Sequence, residues 1–87
     1  MRGVRATRQR LEHDTLADLI FEMRREAGIS QRELARRLGW YQQSVARLEL
    51  GQRSVELIEF VDICGILGKD PLEMLAVLLE RKAPDAS

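Results

Sequence analysis

The chain has 87 residues and a formal net charge of zero, with 45% hydrophobic and 32% charged residues. This length fits a single domain, and the composition is that of an ordinary globular protein. One cysteine cannot form an internal disulfide bond, and no apolar run approaches the roughly 18 residues that span a bilayer. The first residues lack the apolar segment of a signal peptide, so we expect a cytoplasmic protein.

The charges are distributed unevenly along the chain. Residues 1–53 contain eleven arginines and seven acidic residues, whereas residues 54–87 contain three basic and seven acidic residues. This asymmetry is typical of a protein whose basic half faces nucleic acid or a membrane surface. On charge alone, a mixed and solvated surface is an equally good interpretation.

The spacing of apolar residues is helical almost throughout, which predicts an all-α fold. We expect a compact five-helix domain over residues 14–82, with a flexible basic arm at residues 1–13 and a frayed tail at residues 83–87. The first helix is predicted to begin near Asp14 or Thr15, either of which can cap it. Gly28 is predicted to end it, and its inward stripe comprises Leu16, Leu19, Ile20 and Met23.

The second and third helices are short and closely spaced. Ser30 and Glu33 have the spacing of a capping box, in which each side chain accepts from the backbone N–H of the other residue. The second helix, with Leu34, Ala35 and Leu38 on its inner face, is predicted to end at Gly39. A third helix is predicted from about Gln42 to Leu50, with Gly51 as its stop signal.

Two helices remain in the acidic half. Ser54 is expected to cap the fourth helix, with Leu57, Ile58, Val61 and Cys64 facing inward. Asp70 and Pro71 are a strong start signal for the fifth helix. In that helix, Leu72, Leu75, Ala76 and Leu79 have the spacing of a core-facing stripe. A second apolar set on another side, Met74, Val77 and Leu78, is predicted to form a homodimer interface; its alternative is to cover the arm.

The second and third helices have the features of a helix-turn-helix. Ala35 is small where two helices must cross closely, Gly39 begins the turn, and Val45 and Leu48 are apolar where the third helix meets the core. A helical wheel places Gln42, Gln43 and Arg47 on the opposite, exposed side. Glutamine pairs well with adenine and arginine with guanine, so this face is predicted to contact DNA bases; an ordinary polar face is the alternative.

The segments from Gly28 to Gly39 and from Gln42 to Arg53 resemble the Cro/repressor-type (XRE) helix-turn-helix family. The resemblance covers residues 15–80, and the run Gln42-Gln43-Ser44 resembles the start of the recognition helix in a phage repressor of this family. It implies a lambda-repressor-like domain whose third helix lies in the major groove. It also implies base contacts from Gln42, Gln43 and Arg47, and phosphate contacts from Gln31 and Arg53.

The resemblance further implies an ion pair between Arg24 of the first helix and Glu49 of the third. Three positions depart from the family pattern. Trp40 stands where a smaller aliphatic residue is usual, Tyr41 where a capping serine or threonine is usual, and Leu50 where a polar residue is common. The Tyr41 hydroxyl can reach a phosphate instead, although a merely exposed ring is an equal alternative.

The expected function is sequence-specific DNA binding by a transcriptional regulator, most simply a repressor on a palindromic operator. A protein-interaction module, such as the antitoxin of a toxin–antitoxin pair, is the alternative. An enzyme is not expected, because the only histidine, His13, lies in the arm and Cys64 has the setting of a core residue. No cluster of metal ligands and no glycine-rich phosphate loop occurs, so we expect no metal and no cofactor.

Overall fold

The computed structural model describes the backbone of residues 2–82 and the side chains of residues 15–82. In this part of the chain there are five helices and no strand. They are α1 (Arg2–Ala27), α2 (Gln31–Leu38), α3 (Gln42–Glu49), α4 (Leu57–Ile66) and α5 (Pro71–Lys82). The all-α, five-helix prediction is therefore confirmed. Among these helices, none is long and apolar enough to cross a membrane.

α1 begins well before the predicted start near Asp14 or Thr15. Its backbone is helical from Arg2, so the segment expected to be an arm continues the first helix. Residues 2–13 contain four arginines, which favour helix, and no proline. A good capping residue does not begin a helix where the preceding residues can extend it. The predicted tail at residues 83–87 lies outside the described residues.

The start and end of α2 follow the local signals in the sequence. The Ser30 Oγ accepts a 3.0 Å hydrogen bond from the backbone N–H of Glu33. Gly39 ends the helix with φ of 75°, a left-handed conformation that glycine adopts without steric cost. The reciprocal half of the capping box was predicted wrongly. The Glu33 carboxylate instead accepts hydrogen bonds from Arg36 and Arg37, which are cationic donors on the next turn.

One hydrophobic core joins all five helices. The predicted inward residues of α1, α2 and α3 are buried in it or packed against it. Cys64 is fully buried, as expected for a core residue. The buried members are Leu19, Ile20, Met23, Leu34, Ala35, Val45, Leu48, Phe60, Ile63, Cys64 and Leu67.

α4 differs from its prediction in both its cap and its buried face. The N-cap is Glu56 rather than Ser54, and the Glu59 carboxylate accepts from the Glu56 backbone N–H at 3.0 Å. The helix is apolar nearly all round, so periodicity alone could not select its inward face. The buried side chains are Phe60, Ile63 and Cys64, whereas Leu57, Ile58 and Val61 are 74%, 63% and 40% exposed.

The faces of α5 are also the reverse of those predicted. Asp70 caps the helix through a 2.9 Å bond from the Leu72 N–H, and Pro71 is its first residue, as expected. However, the set predicted for the dimer interface packs against the protein's own core, and the set predicted for the core is exposed. The inward set is Met74, Val77 and Leu78, and the outward set is Leu72, Leu75, Ala76 and Leu79.

Two surface ion pairs to α1 accompany this choice of face. Arg81 binds Glu22 through two hydrogen bonds of 2.7 and 3.0 Å, and Lys69 binds Glu26 at 2.8 Å. Arg81 follows Val77 by four residues, so both side chains lie on the same side of α5. The ion pair with Glu22 therefore lies on the side of α5 that packs against α1.

Candidate nucleic-acid interface

A three-residue turn sets the angle between α2 and α3. The Trp40 N–H donates to the Ala35 carbonyl at 2.9 Å, which ties the turn to the end of α2. Ala35 of α2 and Val45 and Leu48 of α3 are all buried. Because these side chains lie between the two helices and the core, they position α3 with its opposite side outward.

The outward side of α3 carries the residues predicted to contact bases. Gln42, Gln43 and Arg47 are all exposed, and their side chains make no hydrogen bond or ion pair with any residue the structure describes. Leu50, one residue past the helix, is 67% exposed on the same side. This arrangement presents two amides and one guanidinium to solvent. Each of these groups can form paired hydrogen bonds with a base edge in a major groove.

A buried ion pair holds the other side of α3. Arg24 donates to the Glu49 carboxylate from Nε at 2.6 Å and from Nη2 at 3.0 Å. The two side chains are only 9% and 4% exposed. Arg24 also donates to the Ile29 carbonyl at 2.8 Å, so its charge is well satisfied. The pair implied by the family resemblance is thus present, and it links α1 to α3.

Gln31 belongs to the same network. Its Nε2 donates to Glu49 Oε1 at 2.9 Å, which adds the first residue of α2 to the contact between α1 and α3. No pattern in the sequence predicts this bond. One amide hydrogen of Gln31 is used in it, and the second is left for another acceptor.

Tyr41 and Arg53, the other residues predicted to contact phosphate, lie in very different environments. The Tyr41 side chain is 81% exposed and makes no capping hydrogen bond at the start of α3, as expected where a tyrosine replaces a capping serine or threonine. Arg53 binds Glu59 through two hydrogen bonds of 3.1 and 3.0 Å. Its guanidinium also lies over the Trp40 ring, 4.1 Å from the centroid.

The Glu59 contact was missed because no sequence signal pairs residues six apart across the start of a helix. Hydrogen bonds from Arg53 and from the Glu56 backbone hold the pKa of Glu59 below its ordinary value of 4.5. The pKa of Arg53 is raised, chiefly by its bond to Glu59. Both groups are therefore charged at neutral pH.

The helix-turn-helix segment is basic, and both of its acidic residues are paired with arginines. Residues 30–53 contain five arginines and two acidic residues. Hydrogen bonds from Arg36 and Arg37 lower the pKa of the partly exposed Glu33 to about 2, and Glu49 is buried beside Arg24. The segment that contains α3 therefore has a net positive charge, which favours binding to a polyanion.

A protein-family model described as helix-turn-helix matches residues 20–74, more than half of the chain. The chain belongs to the XRE-type helix-turn-helix family of DNA-binding transcriptional regulators. The matched residues run from α1 into α5 and include the whole of the α2–turn–α3 unit.

Named relatives agree with this assignment. An uncharacterized HTH-type transcriptional regulator from Methanothermobacter thermautotrophicus is 40% identical over 62 residues, covering 71% of this chain and 90% of the relative. An XRE-family like protein from Pseudomonas syringae pv. tomato superposes with a TM-score of 0.72 at 37% identity, covering 95% of each chain. The clp gene regulator ClgR from Corynebacterium glutamicum has the same fold, with a TM-score of 0.75 at 23% identity over 86% of this chain and 80% of its own.

Proposed function

We propose that this XRE-family regulator is a repressor that occupies a palindromic operator, with α3 of each protomer in the major groove. Such a protein acts by covering its site, so that it needs no catalytic group. The observation that carries the proposal is the outward side of α3. Gln42, Gln43 and Arg47 are exposed there without a partner among the described residues, while Val45 and Leu48 fix the orientation of the helix from behind.

The base contacts are assigned to Gln42, Gln43 and Arg47. Paired hydrogen bonds from an amide suit adenine N6 and N7, and those from a guanidinium suit guanine O6 and N7. Phosphate contacts are proposed for the free amide hydrogen of Gln31, at the start of α2, and for the Tyr41 hydroxyl, at the start of α3. Such contacts set the register of a protein on the duplex but carry no sequence information.

A homodimer is part of the proposal, because a palindrome is matched by a two-fold pair of recognition helices about 34 Å apart. The interface is now assigned to the outward side of α5 instead of Met74, Val77 and Leu78. Leu72 and Leu79 are 76% and 56% exposed, and Leu75 is 37% exposed between them. An apolar surface of this kind often marks a contact between proteins.

Selection of bound sites from random duplexes tests the proposal, followed by a mobility-shift titration on the selected sequence. We expect a selected motif with two inverted half-sites about one helical turn apart. Recovery of random sequence, with equal affinity for every duplex, would overturn sequence-specific readout by α3. A single half-site without inverted symmetry would overturn the palindromic operator while leaving the base contacts intact.

A protein-interaction module is the second candidate, and the outer side of α4 favours it. Leu57 and Ile58 are 74% and 63% exposed, and α3 does not need them for any contact with bases. Under this alternative, introduction of a charge by Ile58→Glu abolishes function in the cell while DNA binding in vitro is retained. Under the repressor proposal, that substitution leaves both nearly unchanged.

A further inference from the structure

Trp40, Arg53 and Glu59 form a cluster, here called the Arg53 cluster, that joins three separate segments of the chain. The Arg53 guanidinium lies 4.1 Å from the centroid of the Trp40 ring. Its Nη1 and Nη2 donate to the two Glu59 carboxylate oxygens at 3.1 and 3.0 Å. Nη1 also donates to the Ser54 carbonyl at 3.0 Å. The guanidinium is thus held by a ring, a carboxylate and a backbone carbonyl.

The cluster lies at both ends of α3. Trp40 is in the turn that precedes α3 and packs against the core, and Arg53 is in the loop that follows α3. Glu59 is in the first turn of α4, where it also accepts from the Glu56 N–H. A movement of the turn, the loop or α4 relative to the others would break at least one of these contacts.

Arg53 is poorly suited to act as a free cation for phosphate. Its side chain is 31% exposed, and the Glu59 side chain is 20% exposed. A carboxylate this close cancels most of the attraction that the guanidinium would exert on a phosphate. The planar, forked guanidinium can bind a carboxylate and stack on a ring at the same time, whereas a lysine ammonium cannot. The contacts in the cluster therefore depend on the planar, forked shape of the guanidinium and not on its charge alone.

We infer that Arg53 is a positioning residue, which holds the turn before α3 and the start of α4 in a fixed relation and thereby sets the orientation of α3. This inference rests on one part of the proposed function, namely that α3 contacts bases. It replaces the sequence-based expectation that Arg53 contacts phosphate. It also gives a role to Trp40, the residue that departs from the aliphatic side chain usual in the family.

Two conservative substitutions separate positioning from phosphate contact. Arg53→Lys keeps the charge but loses the forked geometry, and Glu59→Gln weakens the hold on Arg53 while removing a negative charge near DNA. Positioning predicts that both variants weaken binding to the selected site, by about tenfold or more, with the salt slope unchanged. Phosphate contact predicts that Arg53→Lys binds like the wild type and that Glu59→Gln binds as tightly or more tightly. That pair of results would overturn the inference.

Matched controls show whether any effect is specific to the cluster. Arg81→Lys alters another Arg–Glu pair, the one with Glu22 that joins α5 to α1, and is expected to leave DNA binding unchanged. Trp40→Phe keeps an aromatic ring under the guanidinium and is expected to retain most of the specific affinity, whereas Trp40→Leu is expected to lose it. Melting curves establish that each variant is folded at the assay temperature. Equal losses in Trp40→Phe and Trp40→Leu would overturn a role for stacking.

Fluorescence tests the cluster without DNA, because Trp40 is the only tryptophan in the chain. Arg53→Lys and Glu59→Gln are expected to shift the Trp40 emission and increase its quenching by acrylamide, while Arg81→Lys leaves both unchanged. If the Trp40 emission and quenching are unchanged in Arg53→Lys and Glu59→Gln, the proposed cluster is wrong, whatever the DNA-binding result. A wild-type protein that selects no duplex would overturn the proposed function instead, and the fluorescence would still decide whether the cluster exists.

Discussion

Gln43 is the residue at which base recognition is most directly tested. Its amide is exposed near the start of α3, on the side opposite the buried Val45 and Leu48. We expect Gln43→Ala to weaken binding to the selected site by about 1–3 kcal/mol and to relax the preference at one base pair. Mobility shifts on a panel of single-base variants measure both effects.

The control for this prediction is Gln52→Ala. Gln52 is also an exposed glutamine, but it lies in the loop after α3. The Gln52→Ala substitution should leave the base preference unchanged. If Gln43→Ala weakens binding equally on selected and random duplexes, Gln43 does not contact a base.

Removal of Glu49 is expected to lower the free energy of unfolding much more than removal of an exposed carboxylate. Its side chain is 4% exposed and binds both Arg24 and Gln31. Glu49→Ala leaves the buried Arg24 without its partner, so we expect a loss of about 3–5 kcal/mol in the free energy of unfolding. Urea unfolding followed by circular dichroism measures it.

Glu22 provides the comparison for Glu49. It pairs with Arg81 at the surface, where its side chain is 47% exposed, and Glu22→Ala should cost no more than about 1 kcal/mol. Similar losses in the two variants would mean that Arg24 finds another partner or water when Glu49 is removed.

At the level of elements, the start of α4 depends on the charge of Glu59. The pKa of this carboxyl is lowered in the folded state, first by Arg53 and then by the Glu56 backbone N–H. A lowered pKa contributes stability above the unfolded value, near 4.5, and that stability is lost as the pH falls through the folded value. The Glu59→Gln variant lacks this titration. We therefore expect the difference in melting temperature between wild type and Glu59→Gln to shrink as the pH falls from about 5 to about 3.

Melting curves at several pH values measure this difference, with Glu80→Gln as the control on the exposed end of α5. Glu80 has no ion pair within the described part of the chain. Its substitution should leave the pH dependence like that of the wild type. A constant difference between wild type and Glu59→Gln over this range would show that Glu59 does not stabilise the start of α4 through its charge.

At the level of the whole molecule, the outward side of α5 is expected to join two copies. Val77 cannot test this idea, because it packs against the protein's own core and its replacement by glutamate would disturb the fold. Leu79 is 56% exposed on the outward side. We expect the wild type to sediment as a dimer at micromolar concentration, and Leu79→Glu to sediment as a folded monomer with weakened operator binding.

Ile58→Glu is the matched control for Leu79→Glu. Ile58 is 63% exposed, but it lies on α4. It is expected to leave the dimer intact. Dimer loss in Ile58→Glu with no effect of Leu79→Glu would move the interface to α4, and a wild-type monomer would rule out the proposed dimer.

The sequence by itself determined the central part of this protein. The start of α2 at Ser30, its end at Gly39 and the exposed side of α3 all follow from short-range signals. A capping hydroxyl and a left-handed glycine act within one helical turn, and the polar residues of α3 alternate with apolar ones at helical spacing. Such signals need no knowledge of the neighbouring helices. The pairing of Arg24 with Glu49 came from family resemblance instead, because no local rule joins residues so far apart.

The tertiary structure alone decided which sides of α4 and α5 face inward. Both helices are apolar nearly all round, so several faces could bury similar hydrophobic area, and the sequence pattern could not choose among them. Packing against the core placed Met74, Val77 and Leu78 inside and left Leu72 and Leu79 outside, and the Arg81–Glu22 pair is compatible with that arrangement. The sequence could not predict the partner of Arg53 either. Whether a surface arginine meets a carboxylate or solvent depends on how distant segments are brought together, and only the folded chain places Trp40, Arg53 and Glu59 in contact.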